Sequence, residues 1–410
     1  MSVLISLSPN TELDDIALSL RVLFSPWKWK YRQPIEKTCR TLSKKLNGQQ
    51  VILTSSGRSA LHTALKATGI RKKDEVIVQA FTCSTVPSAV KWVGAKPVFA
   101  DIDLQTYNLD PVSVRDRITE KTRAIIIQHT FGIPAPIEEL LQLARIYNLI
   151  VIEDCAHCLG ATYRNQPLGT FGDIAIFSFG RDKTISSVHG GAISSKDVSL
   201  IKEARRVQTS LPLPPATWVA QQLLHPILMF LITNTYYFFS LGKAFLVLAQ
   251  KIHLLSKAVT VKERYGAMPS MASWQASPAL AILLENQLNK LDRYSKRRKK
   301  IASQYFQELH QGTPRPLLHS QPSWLRFPIS VANPDKAILS AKKQNIMLGD
   351  WYSAPVFPGN PSIFSYHAGS CPRAEYASAH ILNLPTYPKM SGHQIKQVIA
   401  SIKEQKIIDK

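Results

Sequence analysis

Between Val51 and Ile193, short apolar runs rich in valine and isoleucine alternate with segments of helical periodicity. The apolar runs are VILTSS, EVIVQAF, KPVFADID, RAIIIQHTFG and LIVIEDC. Strands that are apolar on both faces and alternate with helices are typical of a parallel sheet covered by helices on both sides. This stretch therefore predicts an α/β fold with a mostly parallel central sheet.

The rest of the chain has a different pattern. An apolar segment follows the α/β stretch, and then come a helical pattern around 278–311, short strands, proline-rich loops and a terminal helix. A chain of 410 residues is long enough for two domains. We predict a large domain over residues 1–265, with an apolar insert at about 207–255, and a smaller α+β domain over residues 266–410.

The apolar insert contains no Asp, Glu, Lys or Arg between residues 207 and 242. A spanning helix needs about 20 mainly apolar residues, but Pro226 and the Thr-Asn-Thr at 233–235 predict two short helices instead. One interpretation is a buried or dimer-facing helical pair. The other is a hairpin on a membrane surface, which is favoured by the cationic flanks Arg205, Arg206, Lys243 and Lys251. A membrane span is the least favoured reading.

The net charge of +22, from 50 basic and 28 acidic residues, favours a polyanionic partner such as nucleic acid, an anionic membrane or a phosphorylated substrate. The densest basic run, KRRKK at 296–300, lies in a helical pattern and is interpreted as a solvated helix face. No nucleic-acid recognition motif accompanies it. We therefore expect no nucleic-acid partner.

The five cysteines are odd in number and irregularly spaced, which implies no disulfide framework. Cys155 and Cys158 form a C-x-x-C without a second pair to complete a metal site; we interpret them as packing residues and predict no metal. The N-terminus is acidic and lacks the apolar core of a signal peptide. We expect a cytoplasmic protein, either free or peripheral to the inner face of the membrane.

Polar residues cluster where the predicted strands end, which is where parallel sheets bind ligands. Residues 55–59, SSGRS, follow the first strand and open a helix, so that a phosphate can approach helix N–H groups. The other strand ends carry His129, Glu153, Asp154, His157, Ser178 and Lys183. A carboxylate buried at such a position needs a cationic partner.

A phosphate site, a buried carboxylate and a lysine together fit pyridoxal phosphate. This cofactor needs an anion site, an acid that keeps its ring nitrogen protonated, and a lysine that forms a Schiff base. Taken singly, Gly57 with Ser59 fits a plain helix cap, Asp154 a capping residue, and Lys183 a solvated surface lysine. Their order along the chain and their shared placement at strand ends favour the cofactor.

The same segments resemble the DegT/DnrJ/EryC1/StrS sugar aminotransferases, which have the aspartate-aminotransferase-like fold. The matching pieces include SSGRSALHTAL, DEVIVQAFT, GAKPVFADID, VIEDCAHCLGATY and GTFGDIAIFSF, and LNLPTYP echoes the C-terminal half. The resemblance implies the type I fold of pyridoxal-phosphate transferases and a homodimer. It also implies amino transfer, with glutamate as donor, to a nucleotide-linked keto-sugar for polysaccharide or amino-sugar biosynthesis.

The resemblance also implies roles for individual residues. Lys183 binds the cofactor and then moves a proton between cofactor and substrate, Asp154 pairs with the ring nitrogen, and His157 lies near the phenolic oxygen. The remaining cofactor contacts expected are Gly57, Arg58, Ser59 and Ser178 at the phosphate, with Phe81, Cys83 and His129 elsewhere in the site.

Two departures from the family pattern keep alternatives open. Cys83 stands where relatives carry an aromatic residue, and His189 stands in Val-His-Gly-Gly where Gly-Glu-Gly-Gly is common. The alternatives are another pyridoxal-phosphate reaction, such as dehydration or a lipid-linked transfer, and a membrane-associated regulator without catalysis. The presence of Lys183 favours amino transfer.

Overall fold

A computed structural model describes residues 3–257 and 259–404. The α-helices are α1 (Leu13–Leu23), α2 (Gln33–Lys45), α3 (Gly57–Ala67), α4 (Thr85–Trp92), α5 (Pro111–Arg115), α6 (Ile137–Ile146), α7 (Val198–Thr209), α8 (Ala216–Thr235), α9 (Leu241–Lys251), α10 (Val261–Arg264), α11 (Pro278–Leu288), α12 (Leu291–Glu308), α13 (Pro334–Lys343), α14 (Pro372–His380) and α15 (Gly392–Lys403).

The strands are β1 (Val3–Leu4), β2 (Gln50–Thr54), β3 (Glu75–Gln79), β4 (Thr82–Cys83), β5 (Lys96–Ala100), β6 (Thr122–Gln128), β7 (Ile150–Asp154), β8 (Thr162–Tyr163), β9 (Gln166–Pro167), β10 (Ile174–Ser178), β11 (Gly191–Ser195), β12 (Ser320–Gln321), β13 (Phe327–Ser330), β14 (Ile346–Met347), β15 (Val356–Phe357) and β16 (Ile381–Leu384). Short 3₁₀ turns lie at Pro26–Lys30, Thr130–Gly132, Ser270–Ser273 and Pro361–Phe364.

The central sheet has seven strands in the order β2-β11-β10-β7-β6-β3-β5. Every neighbouring pair is parallel except the two made by β11, which runs antiparallel to β10 and to β2. The predicted α/β fold with a mostly parallel sheet is confirmed. The parallel strands place their carboxyl ends at one edge of the sheet, and the predicted polar residues follow those ends.

Two apolar cores cover the two faces of this sheet. Ile126 of β6 belongs to one core, and its neighbours Ile125 and Ile127 belong to the other. The alternation arises because successive side chains of a strand point to opposite faces. Both sets are buried, which explains why the strands read as continuous apolar runs rather than alternating ones.

A third core joins the C-terminal helices and strands, including Ile301, Phe327 and Ile395. Val3 also belongs to this core, and its strand β1 pairs with β14. Segments of the C-terminal half also pack on the N-terminal half. Helix α11 packs on α2, and Tyr352 belongs to one of the two cores of the large sheet. The division at residue 265 stays a prediction; residues 1, 2, 258 and 405–410 of the two predicted domains lie outside the described residues.

The apolar insert forms two helices, but its break lies elsewhere than predicted. Helix α8 continues through Pro226 and through 233–235, and the chain turns only between α8 and α9. Gly242 allows the two helices to cross closely, because a Cβ there would lie 2.3 Å from the carbonyl oxygen of Ile232. Among the described helices, α8 alone is long and apolar enough to cross a membrane.

The basic run at 296–300 is not wholly solvated, which corrects the sequence interpretation. Arg298 is buried and donates from Nη2 to Asn10 Oδ1 over 2.8 Å and from Nη1 to the carbonyl of Thr386 over 3.3 Å. Burial lowers its pKa to about 10. This arginine ties the N-terminal segment to the C-terminal part of the chain.

Candidate active site

A glycine sets the contact between helix α3 and the end of strand β10. Ser56 caps α3, with its Oγ accepting from the N–H of Ser59 over 3.1 Å. A Cβ on Gly57 would lie 2.7 Å from Cβ of Ser178, too close for any larger residue without a shift. The helix N-terminus and the Ser178 hydroxyl thereby border one concave space, which is the arrangement of an anion site.

This space is a cleft of about 290 Å³ at the carboxyl edge of the sheet. Seven of the predicted site residues line it: Gly57, Arg58, Cys83, Asp154, His157, Ser178 and Lys183. They come from separate segments between residues 57 and 183, so the fold is what brings them together.

Asp154 ends strand β7 and is buried at the base of the cleft. Its Oδ1 accepts from the N–H of Ala156 over 3.0 Å. Burial raises the pKa of this carboxyl, although that hydrogen bond and the charge of Lys183 act in the opposite direction. No salt bridge to Asp154 forms among residues 3–257 and 259–404, so a cationic ligand group would relieve its desolvation.

Lys183 lies on the turn after β10. Its carbonyl accepts from Asn10 Nδ2 over 2.6 Å, and its N–H donates to the carbonyl of Gly180 over 3.2 Å. Burial lowers the pKa of the ammonium group, and the charges of Cys83 and Asp154 partly oppose that shift. A lowered pKa increases the neutral amine fraction, which is the form that attacks carbonyl carbons.

His157 is held as a neutral ring. Its Nδ1 accepts from the N–H of Phe131 over 3.3 Å, and its Nε2 lies 3.5 Å from the hydroxyl of Tyr352. Burial lowers its pKa well below the usual value, reinforced by the charges of Lys183 and Arg326. Because Nδ1 accepts, the ring proton resides on Nε2, which can donate into the cleft.

Two predicted cofactor contacts lie outside the cleft and are corrected here. The N–H of Ser59 is used by the Ser56 cap, and its hydroxyl donates to the carbonyl of Ala272 over 3.2 Å. Phe81 is fully buried beneath the cleft in an aromatic cluster, with its ring centroid 5.3 Å from that of Tyr352. Phe81 therefore packs in the core. It does not replace, in the cleft, the aromatic ring that relatives carry at the position of Cys83.

His129 is corrected for the same reason. Its Nε2 lies 3.2 Å from Glu153 Oε2, and its Nδ1 accepts from the N–H of Ala135 over 3.1 Å. Its ring lies near the thiols of Cys155 and Cys158, within reach of a shared metal ion. Both ring nitrogens are already engaged, and burial raises the pKa of both thiols, which disfavours the thiolate that a metal needs. We interpret this cluster as packing.

Comparison with known proteins places this geometry in a family. The sequence model of the DegT/DnrJ/EryC1/StrS aminotransferase family matches residues 15–210 and 248–403. The chain belongs to this family. The unmatched stretch between the two matches contains all of α8 and the first part of α9.

Relatives and solved structures match this chain over different lengths. An uncharacterised protein of Methanocaldococcus jannaschii is 30% identical over 364 residues, which cover 86% of this chain and 85% of the relative. GDP-perosamine synthase of Escherichia coli O157:H7 is 39% identical over 178 residues, 43% of this chain and 49% of that enzyme. The structure of Streptomyces venezuelae DesV with a ketimine intermediate superposes with a TM-score of 0.75 at 25% identity, covering 95% and 94% of the two chains. The chain is a pyridoxal-phosphate-dependent aminotransferase.

The residues of this aminotransferase fit the cofactor. The turn at residues 55–59, called the Gly57 turn, offers helix N–H groups to a phosphate, and Ser178 offers its hydroxyl. A Cβ on Gly57 would collide with Ser178 and block the close approach of the two segments. Asp154 is a buried carboxylate that lacks a salt-bridge partner among the described side chains, as a pyridinium nitrogen requires. Lys183 lines the same cleft with a lowered pKa. These three features border one cleft.

The sequence did not reveal the aromatic wall of the cleft. Trp351 comes from the C-terminal half of the chain, and its ring stacks on His157 with centroids 5.5 Å apart and planes 12° from parallel. The guanidinium of Arg326 lies 3.4 Å from the Trp351 ring centroid, and Lys183 Nζ lies 5.4 Å from it. Trp351 stands 168 positions beyond Lys183, and no spacing rule links the two.

The root of the insert also contacts the cleft. The ring of His189 lies 5.5 Å from that of Trp218 in α8. Arg181 donates to the carbonyl of Ser256 over 2.5 Å and to Gln222 Oε1 over 3.4 Å. His189 and Arg181 both line the cleft. His189, which departs from the family pattern, therefore contacts the insert, because Trp218 of α8 packs on its imidazole.

Proposed function

We propose that this aminotransferase moves an amino group from glutamate to a nucleotide-linked keto-sugar and acts as a homodimer in the cytoplasm. The observation that carries the proposal is the meeting of Lys183, Asp154 and the Gly57 turn in one cleft. The product belongs to surface-polysaccharide or amino-sugar biosynthesis.

The bound cofactor supplies an electron sink for the bond changes at the amino-bearing carbon. Lys183 is the base that moves a proton at that carbon, and its lowered pKa keeps part of it neutral. Asp154 would hold the cofactor ring through its nitrogen and keep that nitrogen protonated. His157 would donate from Nε2 to the ring, and Trp351 would exclude water from one side of the cleft.

The sugar substrate is supported by relatives whose names state their substrates. GDP-perosamine synthase of Caulobacter vibrioides is 41% identical over 157 residues, 38% of this chain and 42% of that enzyme. An aminotransferase of Acidithiobacillus ferrooxidans that acts on UDP-N-acetyl-3-dehydro-glucosamine is 27% identical over 354 residues, 85% and 82% of the two chains. Both names denote nucleotide-linked sugars.

The charge of the cleft supports a diphosphate-linked substrate. Arg181 borders it, and its Nε has no hydrogen-bond partner in the described part of the chain. Burial lowers its pKa to about 10, so the arginine remains charged at neutral pH. A buried cation with spare donor capacity favours an anionic ligand.

The experiment is a two-part assay of the purified protein loaded with pyridoxal phosphate. Glutamate, glutamine and aspartate are first offered without sugar, and the visible absorbance of the cofactor is followed; glutamate should bleach it, with release of 2-oxoglutarate. GDP- and UDP-linked keto-sugars are then added, with the same sugars lacking the nucleotide as controls.

The mass of the sugar product separates the outcomes. Amino transfer replaces a carbonyl oxygen by an amino group, whereas dehydration removes water, the alternative that His189 keeps open. Bleaching by glutamate with no nucleotide-sugar turned over would confirm the aminotransferase chemistry and refute the proposed substrate. No bleaching by glutamate would refute the proposed donor.

A further inference from the structure

We propose that the α8–α9 hairpin, residues 216–251, docks the enzyme on an anionic membrane surface, lying in the interface without crossing the bilayer. The inference stands apart from the proposed substrate, because it rests on a segment most of which the family match leaves out.

The hairpin exposes many large apolar side chains. Phe238 and Phe239 form the turn between the helices and are 61% and 85% exposed. Other exposed apolar side chains of the two helices are Phe230, Leu231, Leu241, Val247 and Leu248. Adjacent exposed aromatic and aliphatic side chains at a projecting turn are unfavourable in water and indicate a docking surface.

The charges around this apolar surface select an anionic partner. Between residues 204 and 262 there is no Asp or Glu, whereas Lys243, Lys251, Lys257 and Lys262 are present. Lys243, Val247 and Lys251 are exposed and spaced four residues apart, so the two lysines share one face of α9 with the apolar side chain of Val247. An apolar face bordered by lysines is the pattern of a helix in a lipid interface.

The same charges argue against the hairpin of a second copy as the occupant. If two hairpins met at the two-fold axis of a dimer, each would face the same surface of its partner. Lys243 and Lys251 would then approach the partner's lysines, with no acidic residue of the hairpin to offset the repulsion. An anionic bilayer buries the apolar side chains and neutralises the lysines together.

The packing of α8 argues against a span. Gln222 and His225 are buried in the protein body, His225 Nε2 lies 2.8 Å from Ser8 Oγ, and the carbonyl of Leu223 accepts from Ser19 Oγ. The stretch from 228 onwards packs on α9 through Met229 and Ile232, and Leu7 of the N-terminal segment also packs against this cluster. The helix that remains measures about 12 Å, well short of the roughly 30 Å of a hydrocarbon core.

The root of the hairpin shares contacts with the active site, through Trp218 against His189 and Gln222 against Arg181. Docking of the far end therefore holds the cleft close to the lipid surface.

The test is co-sedimentation of the full-length, cofactor-loaded enzyme with vesicles of phosphatidylcholine, alone or mixed with phosphatidylglycerol. Binding to the mixed vesicles, weakened by salt, is expected. The double variant Phe238→Ser/Phe239→Ser should lose affinity by at least about tenfold. Lys243→Gln/Lys251→Gln should lose about tenfold or more on anionic vesicles only. Leu318→Ser, at a position 79% exposed elsewhere on the surface, is the matched control and should bind normally.

The visible absorbance of the cofactor and turnover without vesicles report that each variant is folded. Equal binding by the wild type and by both double variants would overturn the proposal. So would a wild type that ignores vesicles while Phe238→Ser/Phe239→Ser converts a dimer into a monomer, which would assign the surface to a second copy. Resistance of the cellular protein to carbonate extraction would instead show a span.

Discussion

The cofactor cleft and the α8–α9 hairpin expose opposite kinds of surface. The cleft buries polar groups without a salt-bridge partner among the described residues, such as the carboxylate of Asp154, in a region that the family shares. The hairpin exposes apolar groups that lack protein cover, such as Phe239, in a region that the family match omits. Both surfaces are unfavourable without a ligand. The buried carboxylate of the cleft indicates a cationic ligand group, and the exposed apolar side chains of the hairpin indicate an apolar partner.

The largest effect is expected at the cleft. Lys183→Ala should lower turnover by about 10⁴-fold or more, because the amine that binds the cofactor and moves the proton is lost. Absorbance and single-turnover assays measure the loss, and Lys196→Ala, an exposed lysine after β11, is the control. Vesicle binding should be unchanged. A variant that keeps the visible cofactor absorbance would show that a different lysine holds the cofactor.

The neighbouring carboxylates Glu153 and Asp154 should respond differently. Asp154→Asn should slow turnover about 10²- to 10³-fold, because an amide cannot hold the ring nitrogen protonated. It should also raise the melting temperature of the cofactor-free protein, since burial disfavours the charged carboxyl, as its raised pKa shows.

Glu153→Gln is the matched comparison. Glu153 accepts from the N–H groups of Gly169, Phe171 and Gly172 over 2.9, 2.7 and 2.8 Å, so its loss should cost about 1–3 kcal/mol of stability. Thermal unfolding of both variants without cofactor measures the contrast. If Asp154→Asn were the less stable of the two, Asp154 would have a structural role.

An intermediate effect is expected at Trp351. Trp351→Ala should lower kcat/KM about 30-fold, because stacking on His157 and the contact with Arg326 each contribute about 1 kcal/mol. Trp351→Phe should recover most of the loss, which a purely structural role for the indole would not explain. Trp27→Ala, at an exposed tryptophan, is the control. Unchanged kinetics of Trp351→Ala would remove it from the site.

The smallest expected effect is a pH dependence of the folding stability that involves both the cleft and the hairpin. His157 and His189 at the cleft and His225 at the hairpin root are buried, and burial holds each pKa well below the usual value. The unfolded chain therefore binds more protons as pH falls through about 6.5, and the stability present above that value is lost below it.

Urea unfolding at pH values above and below about 6.5 measures this slope. His225→Asn should reduce the slope without changing turnover at neutral pH, because His225 contacts Ser8 and not the cleft. Equal stability across this range would show that the three rings take up protons as readily in the folded state as in the unfolded chain.

The strand pattern was sufficient for the fold, because apolar runs on both faces leave few alternatives to a covered parallel sheet. It was also sufficient for Lys183, Asp154 and the Gly57 turn, since parallel strands end at one edge. It was insufficient for Phe81 and His129, which also follow strand ends but turn into the core, where ring packing and the Glu153 pair hold them.

By itself, the sequence determined that a glycine turn, a carboxylate and a lysine meet at one edge of a sheet, because their strands run in the same direction. Only the tertiary structure decided that Trp351 and Arg326 complete that site and that α8 packs its first half into the protein. These contacts join segments far apart in the chain, and long-range packing leaves no periodicity in either segment by which it could be read.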